Sequence, residues 1–246
     1  MSAAILDASK VTRTITKLKL RIEERFPDSG LQNVCGQLES IAGRTQQTAE
    51  KINQPIWWVK TLVWALVLMI FIAGMILPFV LKFGFSEEEM TIKYFMESAD
   101  PVFNEIVIIG ALFFFLFTLE KRVKRKRALS AIHELRSIAH VIDMHQLTKD
   151  PDRVISSKYT ATEDSPKLTM DRFQLRRYLD YCSEMLSLTG KLAAVYVQNF
   201  DDDVALAAVN EVESVTTGLS QKIWQKIMIL HDAEQEEEGN GNEQES

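Results

Sequence analysis

The sequence predicts an all-α membrane protein: two transmembrane helices in a hairpin, carrying a cytoplasmic helical bundle. Three observations lead there. The averages over 246 residues, 46% hydrophobic and 25% charged, would suit a soluble domain, but the apolar residues are concentrated. Ile56 to Leu81 is a run of 26 residues whose one charge is Lys60, and a second apolar run closes at Leu119. Six of the eight residues that follow, from Glu120 to Arg127, are Lys or Arg. Elsewhere apolar residues recur at alternating spacings of three and four, and no segment shows the strict alternation of a strand.

The chain divides into a cytoplasmic hairpin over 1–55, a membrane hairpin over 56–119 with an outer loop at 82–101, a cytoplasmic domain over 120–231, and a tail over 232–246. In the first part Ala4, Ala8, Val11, Ile15, Leu18 and Ile22 make one seam. Pro27, Asp28, Ser29 and Gly30 then supply turn chemistry, after which Leu31, Val34, Leu38, Ile41, Thr45, Thr48 and Ile52 resume the seam. Its small and polar positions make it thin, so it should pack on a further helix or on another subunit.

Thr61 to Leu81 would span about 31 Å as a helix, close to the thickness of a hydrocarbon core. Trp57, Trp58 and Trp64 crowd its first end beside Lys60, as interface anchors do. The second span, Val102 to Leu119, opens on Asp100 and Pro101, which read as an N-cap and a first-turn proline. Asn104 and Glu105, near its outer end, are the candidates for a pore or polar relay within the membrane. The collar of Lys121, Arg122, Lys124, Arg125, Lys126 and Arg127 marks the cytoplasmic end and would meet anionic headgroups. The connecting stretch from Lys82 to Asp100 holds five acids and two bases, which suits the translocated side, so both termini are expected in the cytoplasm. In that loop Ser86 and Glu89 resemble a capping box ahead of a short amphipathic surface helix. A cleaved signal peptide is not expected, because the apolar run begins late and is too long. Short loops and this charge asymmetry suit a bacterial inner membrane.

The second span meets no breaker before Asp150 and Pro151, so its helix should continue to about Leu147. A loop over 150–167 follows, then a helix from Asp171 to Gln198 with Leu175, Leu179, Cys182, Leu186, Thr189 and Tyr196 near one face. Asp201, Asp202 and Asp203 start the last helix, whose seam runs through Ala205, Val209, Val212, Thr216, Leu219, Ile223, Ile227 and Leu230. From Asp232 to Ser246 there are seven acids and no base, whereas 28 bases face 27 acids before it. Such a segment cannot bury enough apolar surface to order itself and is expected to be disordered, with no affinity for nucleic acid.

No catalytic constellation emerges. His133, His140, Asp143 and His145 form the one cluster with metal-ligating residue types; His133 and His140 stand about 10.5 Å apart along a helix, too far to share an ion. Only His140 with Asp143 remains as a weak metal candidate, and no cofactor is expected. His133-Glu134 starts like a zincin motif, but Ser137 stands where the second His belongs. Gly190-Lys191 lacks the glycine and hydroxyl of a phosphate loop. Cys182 has no His on its own helix to activate it and reads as a buried thiol. Composition and pattern therefore point to a membrane-anchored, non-enzymatic scaffold or adaptor. It would self-assemble or recruit a protein partner through its cytoplasmic helices at an anionic bilayer. An oligomeric channel or membrane-perturbing effector is the alternative, drawing on Glu105, Gly110 and the phenylalanines at 113, 114, 115 and 117. A metal-binding membrane enzyme is the lesser one.

Overall fold

A computed structural model describes residues 6–84, 92–156, 162–165 and 169–244; for 73–74, 77–84, 92–106, 117 and 237–244 it describes backbone alone. Every regular element among the described residues is helical. The helices are α1 (Ala8–Arg25), α2 (Gly30–Asn53), α3 (Trp57–Gly84), α4 (Ile92–Leu147), α5 (Asp152–Ile155), α6 (Arg172–Val197) and α7 (Asp203–Gln244). They form two compact units, one of 1–53 with 127–246 and one of 54–126, and α4 contributes to both.

The first unit is a helical bundle around one hydrophobic core. Asp7 caps α1 by accepting from the Ser9 amide at 2.9 Å. The seam residues Val11, Ile15, Leu18 and Ile22 are buried. The turn into α2 places Asp28 at a φ of 54°, a left-handed conformation that a short polar residue tolerates, and Gln32 accepts from the Asp28 amide at 2.9 Å. Gly30 serves close approach rather than unusual φ: a Cβ there would collide with Cε1 of His145, at the end of α4. On α2 the buried line runs Leu31, Val34, Leu38, Ile41, Thr45, Ala49 and Ile52, so Ala49 and not Thr48 continues the seam. Both α1 and α2 pack on α6, which supplies the further helix that their thin seam needs.

At its start α6 has a reciprocal capping box: Asp171 accepts from the Gln174 amide at 2.7 Å, while Gln174 Oε1 accepts from the Asp171 amide at 3.2 Å. Helix α7 is capped by Asp202, which accepts from the Ala205 amide at 3.0 Å. All eight residues read as its seam are buried. Helices α6 and α7 pack closely where Gly190 faces Thr216; a Cβ on Gly190 would lie 3.3 Å from the Thr216 hydroxyl.

Three expectations change. Helix α4 is already running at Asp100 and passes through Pro101, so this pair is not an N-cap. A proline costs one backbone bond, which a helix propagating on both sides absorbs. For the same reason Ile92 to Met96 begin α4 and are not a separate surface helix; Ser86 and Glu89 lie outside the described residues. Finally, α7 continues to Gln244, so the acidic stretch expected to be disordered has a helical backbone that far. Propagation from a packed helix adds one bond per residue fixed, and Glu and Gln are good helix formers.

Candidate membrane interface

The second unit is built on α3 and the first part of α4. Ile56, just before α3, and Val59 and Leu66 on it are buried and Val63 and Ile70 half-buried, at spacings of three and four. On α4, Leu116 is buried and Ile109 and Phe113 half-buried in the same rhythm. The two helices are tied at one end by Glu120, whose carboxylate accepts from the Ile56 amide at 3.3 Å and from Lys124 Nζ at 2.9 Å. That carboxylate caps the start of α3 from another helix.

Most of the described apolar side chains outside these stripes are exposed. Trp64 is 71% exposed, Met75 67% and Phe114 75%, and Leu68, Phe71, Ile108 and Phe115 are exposed with them. Apolar exposure on this scale marks a surface that is covered by something other than water. Among the described residues one helical stretch, within Gly30–Ile72, is long and apolar enough to cross a membrane. The anchors Trp57, Trp58, Lys60 and Trp64 are all exposed. The side chains of Asn104 and Glu105 lie outside the described residues, although both belong to α4.

The basic collar is less uniform than its sequence suggests. Lys121, Arg122, Lys126 and Arg127 are exposed, and Lys124 and Arg125 half-buried. Lys124 is held by Glu120, and Arg127 donates to the Lys51 carbonyl at 3.3 Å, near the end of α2. Lys121 and Arg125 also have partners. Four of the six cations expected to meet lipid thus have partners within the chain. Glu120 was missed in the sequence although a signal existed: a single acid four residues before Lys124, the favourable order for a helical ion pair.

In the bundle, His133 and His140 are exposed, and Asp143 accepts from Gln146 Nε2 at 2.7 Å. His145 is half-buried against Gly30, and burial, followed by the nearby Lys149, lowers its pKa. Among the described residues no three His, Cys, Asp or Glu side chains gather as a metal site would require. Cys35 and Cys182 are fully buried, and burial pushes both thiols up to about 12. An open groove of about 560 Å³ runs between the start of α1 and the ends of α2 and α6, lined by Gln46, Glu50, Asn53 and Gln198 among others. Among the described residues, the buried side-chain acceptors without a partner are Asn53 Oδ1, at this groove, and Gln146 Oε1. Compared with known proteins, the chain matches no family model, no curated protein and no solved structure.

Proposed function

We propose that this chain is a membrane-anchored, non-enzymatic adaptor or scaffold. Residues 56–119 lie in the bilayer as a two-span hairpin, and the helical bundle on the cytoplasmic side self-assembles or recruits a protein partner. The observation that carries the reading is a contrast in burial. The bundle closes its own core, whereas α3 and α4 in the second unit bury one narrow stripe each and expose apolar side chains around the rest. Tryptophans at the start of α3 and cations just after residue 119 are the residue types that sit at headgroup level, each cation near an anionic surface contributing about 1 kcal/mol.

The recruiting surface is not the α1–α2 seam, which α6 covers within the same chain. It is the outer face of the bundle, where Trp224 stands 61% exposed on α7 and Phe173 57% exposed on α6. Aromatic side chains of this kind are frequent anchors of protein interfaces. Tagging the C-terminus, crosslinking in native membranes, purifying in mild detergent and determining composition and mass tests this reading. A different protein in near-stoichiometric yield, lost on Trp224→Ala, is the expected result. A closed homo-oligomer that drives ion flux in liposomes, with flux abolished by Glu105→Gln, would replace the adaptor by a channel.

A further inference from the structure

The end of α4 is closed from a distance of some eighty residues. Nζ of Lys226, on α7, donates to the main-chain carbonyls of Gln146 at 2.9 Å and Lys149 at 3.1 Å. They lie at the C-terminal end of α4, the negative end of its dipole: the Gln146 carbonyl, in the last turn, also accepts from the Lys149 amide at 3.0 Å, and the Lys149 carbonyl lies just past the helix. Beside them Gln146 is 1% exposed, and its Oε1 has no partner while its Nε2 is spent on Asp143. The ammonium therefore sits among oxygens as a bound cation would, tethered by the lysine stem. Burial lowers the pKa of Lys226, with Asp150 and Asp143 acting in the opposite direction. Lys149, from the same turn, faces away from the oxygens, its Nζ lying over the Tyr178 ring 5.1 Å from the centroid. One turn after Tyr178 on α6 stands the fully buried Cys182, on which both Lys149 and Lys226 act electrostatically.

We propose that Lys226 is a latch: its ammonium holds α7 on the end of α4, and its release uncovers the α6 surface around Cys182. Lysine fits the task. It carries a compact charge that can be withdrawn into water along its own stem, whereas an apolar contact would have to open as a whole. Release removes the Lys226 donor from two main-chain oxygens, Gln146 O and Lys149 O, which water then hydrates, so opening draws water into the joint between α4 and α7 rather than dissolving the bundle.

The two buried cysteines give a direct readout. In the full chain in mild detergent, N-ethylmaleimide labelling is followed separately at Cys182, on α6, and at Cys35, on α2. Where reclosing is fast, labelling follows the open population, so losing charge-assisted hydrogen bonds raises it about tenfold to a hundredfold. Lys226→Met, which keeps the stem and removes the charge, should accelerate Cys182 by that factor and leave Cys35 at its wild-type rate. In Lys226→Ala, propylammonium chloride should restore protection of Cys182 where sodium chloride of equal ionic strength does not. Unchanged labelling of Cys182 in Lys226→Met would overturn the latch. So would equal acceleration of both cysteines, the signature of a chain that is only less stable, or equal rescue by the two salts.

Discussion

Thr45 has one hydroxyl proton and two hydrogen-bond neighbours. Its Oγ1 lies 2.9 Å from the Ile41 carbonyl and 3.1 Å from the Tyr196 hydroxyl, and the residue is fully buried. A carbonyl only accepts, so the threonine proton goes to Ile41 and the tyrosine donates to Thr45. The two partners are then unequal. Tyr196→Phe removes a donor and leaves the threonine hydroxyl still bonded, costing about 1 kcal/mol. Thr45→Val leaves a buried phenol with no acceptor and should cost more, about 2 kcal/mol. Thermal unfolding of the two variants in detergent checks the order; a Tyr196→Phe loss equal to or larger than that of Thr45→Val contradicts the assigned donor. In the sequence this threonine reads as a weak point in an apolar seam. Its partner stands 151 positions away, and spacing along one helix carries no information about a group on another. Lys226 was passed over for the same reason, since its acceptors are main-chain carbonyls that no side-chain pattern announces.

At the scale of the element, local signals were legible where they act within a few residues. The cap at Asp202 and all eight seam positions of α7 match the reading of the sequence, because a capping side chain meets amides two or three residues ahead and a seam is a matter of period alone. The capping box at Asp171 belongs to this class and makes a quantitative expectation. Asp171→Ala removes the acceptor of the Gln174 amide and should lower stability by about 1 kcal/mol, with Asp171→Asn costing less. Calorimetry of both variants decides it; an alanine variant as stable as the parent would mean that the box holds nothing. The stripes on α3 and α4 were not legible. In a helix apolar on every side the residues that pack against another helix look like those that do not, so Ile56, Val59, Leu66 and Leu116 carry no contrast. Pro101 misled in the opposite sense, since a strong local breaker was outweighed by helix on both sides.

For the whole molecule, the chain divides into two compact units at 53–54 and 126–127, whereas the sequence reading, drawn from polarity, places its divisions at 55 and 119. The later one differs more because α4 runs without a break past residue 119, and compactness is decided by packing rather than by polarity. The membrane reading makes its own prediction about sides. The proposed hairpin places the stretch after α3 outside and the end of α7 inside, as the positive-inside rule requires of a chain with six bases after residue 119. Membrane-impermeant maleimide added to intact cells should therefore label Glu88→Cys and spare Asn240→Cys, with Asn240→Cys becoming reactive once the membrane is permeabilised. The background is favourable because both native thiols are fully buried and held in the protonated form, so the introduced cysteine dominates the signal. Labelling of Asn240→Cys in intact cells with Glu88→Cys protected would invert the topology, moving the basic collar to the outer face. Labelling of both would remove one of the two spans, and with it the hairpin from which the adaptor is hung.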